Sequence, residues 1–115
     1  MRTVVLLSVI VVFICLQGSA QTNGNAENGK RLFMKKNCYY CHGTAGQGGR
    51  DGARIAQTSL AVAALIRYVR RPTGRMPAYT EKILSDQELT DIVAYLKTVS
   101  PAKAAKDIPL LKQIP

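Results

Sequence analysis

The sequence is poor in metal-ligating side chains, with one histidine and three cysteines, and it lacks any alternating strand pattern, internal repeat or low-complexity tract. A structural zinc site wants four ligands, commonly two cysteine or histidine pairs, and that count is not reached once Cys15 is set aside with the N-terminal segment. Without period-two patterning a sheet protein is excluded, and the class is all-α. The N-terminal apolar run is about 13 residues, against roughly 20 for a spanning helix, so no transmembrane helix is expected in the mature protein. Acidic side chains are also scarce, 7 against 16 basic, for a formal net charge of +9.

That N-terminal run has the order of an export signal. Arg2 gives a positive start, Val4 to Leu16 are apolar, and Gln17-Gly18-Ser19-Ala20 ends in small residues suited to cleavage after Ala20. Cys15 follows the bulky pair Phe13-Ile14, whereas lipid attachment follows small residues, so it is read as part of the discarded signal. Residues 1–20 are therefore expected to be a cleaved signal peptide, 21–100 one compact domain and 101–115 an extended C-terminal tail lying against it. The localisation expected is periplasmic or otherwise exported. Export sets nucleic acid aside as the partner of the basic surface, leaving acidic proteins, whose attraction salt would screen. A mature chain of about 95 residues buries only a modest core and gains from a large linked cofactor.

Three helices can be placed. Asn25 can cap the first, with Glu27 in its first turn, Leu32 and Phe33 facing a core, and Lys35-Lys36 in its last turn. A segment with Gly43, Gly46, Gly48, Gly49 and Gly52 then holds neither helix nor strand and can approach a flat ligand closely. Ser59 is expected to cap a second helix, in which Val62, Leu65, Ile66 and Val69 form one stripe before Pro72 stops it. Ser85 and Glu88 have the spacing of a capping box at the head of a third, where Leu89, Ile92, Val93 and Leu96 repeat the stripe and Pro101 sets the limit.

Between the first helix and the glycines stands Cys38-Tyr39-Tyr40-Cys41-His42, the pattern of haem c attachment. Two thiols three residues apart lie on one side of a helical turn and can reach the two vinyl groups of one haem. The histidine after Cys41 brings an imidazole beneath the iron. A Cys38–Cys41 disulfide is the competing use, although it closes too short a loop to stabilise much. A redox pair would want a βαβ context, which is absent.

His42 has no histidine companion, so the second iron ligand is a methionine, a weaker donor or nothing. Met1 leaves with the signal, and Met34 is tied to the attachment side. Met76, with Gly74 before it and Pro77 after it, is held in a turn that suits a fixed ligand. The alternative is a gap-filling core methionine.

With these residues in place the chain resembles the class I cytochrome c family over nearly the whole mature sequence. The match extends to Gly29 and Phe33, to Arg75-Met76-Pro77-Ala78-Tyr79 and to Leu89–Leu96. The resemblance implies three main helices around one covalently bound haem, with glycine-rich loops, so that 21–100 is a cytochrome c domain. It implies that the first and last helices cross closely, Gly29 meeting Tyr95 with Phe33 beside them. The family often has Gly-Pro where this chain has Gly52-Ala53, at a loop whose carbonyl accepts the second N–H of the proximal histidine.

Haem c and its iron, held by Cys38, Cys41, His42 and Met76 with His42 and Met76 as the metal ligands, imply one-electron transfer with no catalytic residue. The expected setting is a respiratory chain, as carrier or detachable subunit between a periplasmic dehydrogenase and a respiratory acceptor such as an oxidase. The chain is expected to be a monomer or a subunit of a heteromeric complex. The alternative is a haem enzyme or small-gas sensor in which Met76 is displaced. Arg67, Arg70, Arg71 and Arg75 are read either as a solvated face or as a docking site for an acidic redox partner, with Arg75 able to pair with a propionate.

Overall fold

The computed structural model describes residues 23–113, and the expected signal peptide at 1–20 lies outside them. Four helices follow one another: α1 at Ala26–Lys35, α2 at Cys38–His42, α3 at Val62–Arg70 and α4 at Asp86–Thr98. No strand occurs among the described residues, and none of their helices is long and apolar enough to cross a membrane.

The chain builds α1 and α4 where its capping residues permit. Asn25 accepts a bond from the Asn28 N–H at the head of α1. Ser85 and Glu88 form both halves of the capping box at the head of α4. Helix α3 differs from expectation at its start. Ser59 caps nothing, because the helix begins only at Val62 and its N-cap is Ala61, which has no side-chain bond to give.

The most extensive contact between elements is α1 with α4. Phe33 and Leu32 from α1 pack with Leu89, Ile92, Tyr95 and Leu96 from α4, joined by Val69 of α3 and Leu84. Phe33 is fully buried, and its ring lies 5.7 Å from that of Tyr95 at 56°. Gly29 makes the close crossing possible, and what lies nearest to it is the backbone of α4. A methyl group there would overlap the backbone of Asp91 and Ile92, one turn before Tyr95.

A carboxylate sits within this apolar crossing. Asp91, 5% exposed, accepts from the Asn25 N–H at 2.8 Å, from Asn28 Nδ2 at 2.7 Å and from Gln87 Nε2 at 3.0 Å. Burial alone would raise its carboxyl, but the three bonds outweigh that and hold it below its ordinary value. Beyond Val99 the chain carries two 3-10 turns, Ala105–Asp107 and Pro109–Gln113. These turns contact one another, and Leu110 is exposed.

Candidate functional site

Helix α2 is a single turn whose direction is set at Asn37. That residue adopts a left-handed conformation (φ 61°), which asparagine tolerates better than most, and so turns the chain between α1 and α2. Cys38 and Cys41 follow one helical turn apart, both partly buried and both free thiols. Cys38 and Tyr39 pack against the core, whereas Tyr40 between the cysteines is 80% exposed. Burial pushes the Cys38 thiol up, with its own backbone and Lys36 opposing.

His42 closes α2. Its Nδ1 lies 2.7 Å from the Ala53 carbonyl oxygen. A carbonyl can only accept, so Nδ1 carries the proton and the Nε2 lone pair is left available to a metal. The glycine-rich loop delivers that carbonyl. Gly48 N–H bonds to His42 O, Gly49 N–H bonds to Gly52 O, and both Ile55 and Ala56 N–H bond to Gly46 O. Gly52 lies so close to α2 that a Cβ would stand 2.7 Å from the Cys41 carbonyl oxygen. Gly52 thus brings the loop against α2, and Ala53 stands where the family often has proline without losing the bond.

Met76 stands in the segment between α3 and α4, half-buried against the core cluster. Tyr79, three residues on, ties the same segment down. Its N–H bonds to Val69 O at 3.1 Å, and its hydroxyl donates to Lys36 O at 3.0 Å, just ahead of Cys38. Burial pushes the Tyr79 phenol up. The Met76 segment and the cysteine helix are thus neighbours.

The arginines separate into two kinds. Arg67 and Arg71 are exposed. Arg70 donates to the Tyr79 carbonyl at 2.9 Å and pairs with Asp86, and Arg75 pairs with Asp51 at 2.7 Å. The face expected to carry Arg67, Arg70 and Arg71 together is divided, because Arg70 is turned inward and Arg71 has left helical geometry as the C-cap of α3. Sequence reading missed Arg70 and Asp91 as structural residues. The available signal for Asp91 was a carboxylate lying inside the apolar stripe of α4, with two asparagines at the head of α1 to meet it.

The donor chemistry suits haem c. Two unpaired thiols one turn apart could form two thioethers, the imidazole leaves Nε2 available to a metal, and a thioether side chain stands on a neighbouring segment. Comparison with known proteins agrees. The family described as cytochrome c oxidase, cbb3-type, subunit III matches residues 24–96. A thiosulfate dehydrogenase of Psychrobacter arcticus is 36% identical over 102 residues, an alignment covering 72% of this chain. The chain spans 29% of that relative's length. No solved structure matches the chain.

The fold and the site define a small c-type cytochrome with an all-α, class I cytochrome c fold. The chain belongs to the c-type cytochrome family matched at residues 24–96, whose members bind haem c and its iron covalently and transfer electrons.

Proposed function

We propose that this chain is an exported one-electron carrier in which Cys38 and Cys41 would hold haem c and His42 and Met76 would ligate its iron. The observation that carries the reading is the His42 Nδ1 bond to Ala53 O, since it fixes on this imidazole the tautomer an iron ligand needs. Cys38 and Cys41 would hold the group through thioether links to its two vinyl positions. Held by His42 and Met76, the iron would favour the reduced state more than it would between two histidines. When bound, the group would supply a ferrous–ferric couple.

Residues 1–20 are proposed as the cleaved leader and 21–100 as the working domain, placed in the periplasm or an equivalent exported compartment. Its partners are acidic redox proteins, a dehydrogenase on one side and a respiratory acceptor on the other, with the chain acting alone or as a subunit. Acid–acetone extraction of the purified protein is expected to leave the colour on the chain. A colourless protein with a Cys38–Cys41 disulfide would overturn the reading. For the distal side, the ferric protein is expected to show the near-red band of His/Met haem, and Met76→Ala to abolish it. Ready carbon monoxide binding by the wild-type ferrous form would favour the sensor or enzyme reading instead.

A second reading follows from the printed name of the relative, thiosulfate dehydrogenase. In it the chain is the haem domain that serves an oxidoreductase of sulfur compounds. Thiosulfate added alone to the ferric chain is expected to leave it oxidised if the chain is only a carrier. Prompt reduction would assign the substrate chemistry to this chain.

A further inference from the structure

We infer that Arg70 is a positioning residue for Met76, acting through Tyr79 and Asp86; the inference rests on the proposed role of Met76 as the distal ligand. The segment 71–85 leaves the end of α3 and returns at the head of α4. Arg70 is the last residue of α3 and Asp86 the first of α4, so their ion pair closes the segment at its base. The same guanidinium reaches inward to the Tyr79 carbonyl at 2.9 Å, while the neighbouring Val69 carbonyl accepts the Tyr79 N–H at 3.1 Å. Both peptide groups of Tyr79 are thereby held by consecutive residues of α3. Its hydroxyl is held on the far side by Lys36 O, beside the cysteine helix.

Arginine suits this place where lysine does not. One planar guanidinium presents separate N–H groups to a carbonyl and to a carboxylate, whereas an ammonium on a flexible stem does not fix the two directions at once. The side chain of Arg70 is 21% exposed, against 81% for Arg75, whose ion pair with Asp51 is at the surface. Arg70 also stands at a helix C-terminus and Asp86 at a helix N-terminus, where each charge is favoured by the helix dipole. Without this closure the segment opens more often, and Met76 leaves the iron more often.

The test uses the haem-loaded protein and its Arg70→Ala, Arg70→Lys and Asp86→Asn variants, with Lys30→Ala as a control that removes one exposed charge from α1. Far-ultraviolet circular dichroism checks folding. Arg70→Ala is expected to weaken the ferric near-red band and to speed carbon monoxide binding to the ferrous form about ten-fold, as loss of a charge-assisted bond implies for an opening equilibrium. Arg70→Lys is expected to restore part of the effect, Asp86→Asn to show a smaller change, and Lys30→Ala none. If Arg70→Ala does not fold, Arg70→Lys and Asp86→Asn carry the test. Folded variants with a full band and wild-type binding overturn the inference. Should the wild type itself lack the band, the ligand reading has failed, and hydrogen exchange at the Tyr79 amide then decides the closure. Exchange about ten-fold faster in Arg70→Ala supports it, and unchanged exchange refutes it.

Discussion

At the carboxylate of Asp91, donors from the head of α1 and from the preceding turn of α4 converge on one buried charge. Replacing it by alanine leaves the Asn25 N–H and the Asn28 amide without their partner, and Asp91→Ala is expected to cost about 3 kcal/mol in urea unfolding at neutral pH. The dependence on pH has a definite sign. The carboxyl is lower in the folded than in the unfolded chain, so its contribution is complete above the unfolded value, near 4 by ordinary aspartate behaviour. It is lost as pH falls through the lowered folded value. The stability gap between wild type and Asp91→Ala should therefore narrow on acidification; a constant gap would remove the charge from the account. Gly29→Ala is expected to be at least as damaging, by about 3 kcal/mol or more, because its methyl meets rigid backbone rather than a side chain that can move. The urea midpoint checks this.

Helix α4 is where local sequence and tertiary packing agree most closely. Its capping box lies in four consecutive letters, and Ser85→Ala is expected to lower stability by about 1 kcal/mol without altering the haem spectrum, as read by thermal unfolding and absorption. The stripe Leu89, Ile92, Val93 and Leu96 was legible for the same reason, since helical period alone decides which positions face the core. Helix α3 was legible in its body but not at its head. Ser59 has the side chain of a cap, but the chain between the glycines and Val62 is shaped by loop bonds, among them Gln57 N–H to Leu96 O, that no local pattern announces. Of the site, the cysteine pair and His42 could be read because attachment chemistry demands a fixed spacing. The inward turn of Arg70 could not be read, because its partners Tyr79 and Asp86 lie across a loop.

Among the described residues, part of the basic excess is engaged in ion pairs. Arg67 and Arg71 are exposed near the Met76 segment, whereas Arg70 and Arg75 already hold carboxylates. Electron transfer to an acidic partner is expected to slow as salt rises, and Arg67→Glu with Arg71→Glu to reduce both the rate and its salt slope. Stopped-flow mixing over a range of ionic strength measures both, and an unchanged slope would assign these charges to solvation alone. Among the described residues the 3-10 turns beyond Val99 contact one another and no helix, so removing residues 101–115 is expected to leave the melting temperature where it was, by calorimetry.

The bond from the Asn25 N–H to Asp91 also governs how such a domain can be joined to other chains. Asp91 stands within two turns of the end of α4 at Thr98, about 10 Å along the helix. The polypeptide thus enters and leaves the folded unit at nearly adjacent points. A unit with neighbouring ends can be spliced into a larger architecture, or cut out of one, without pulling its first and last helices apart. The domain has the geometry of an interchangeable part.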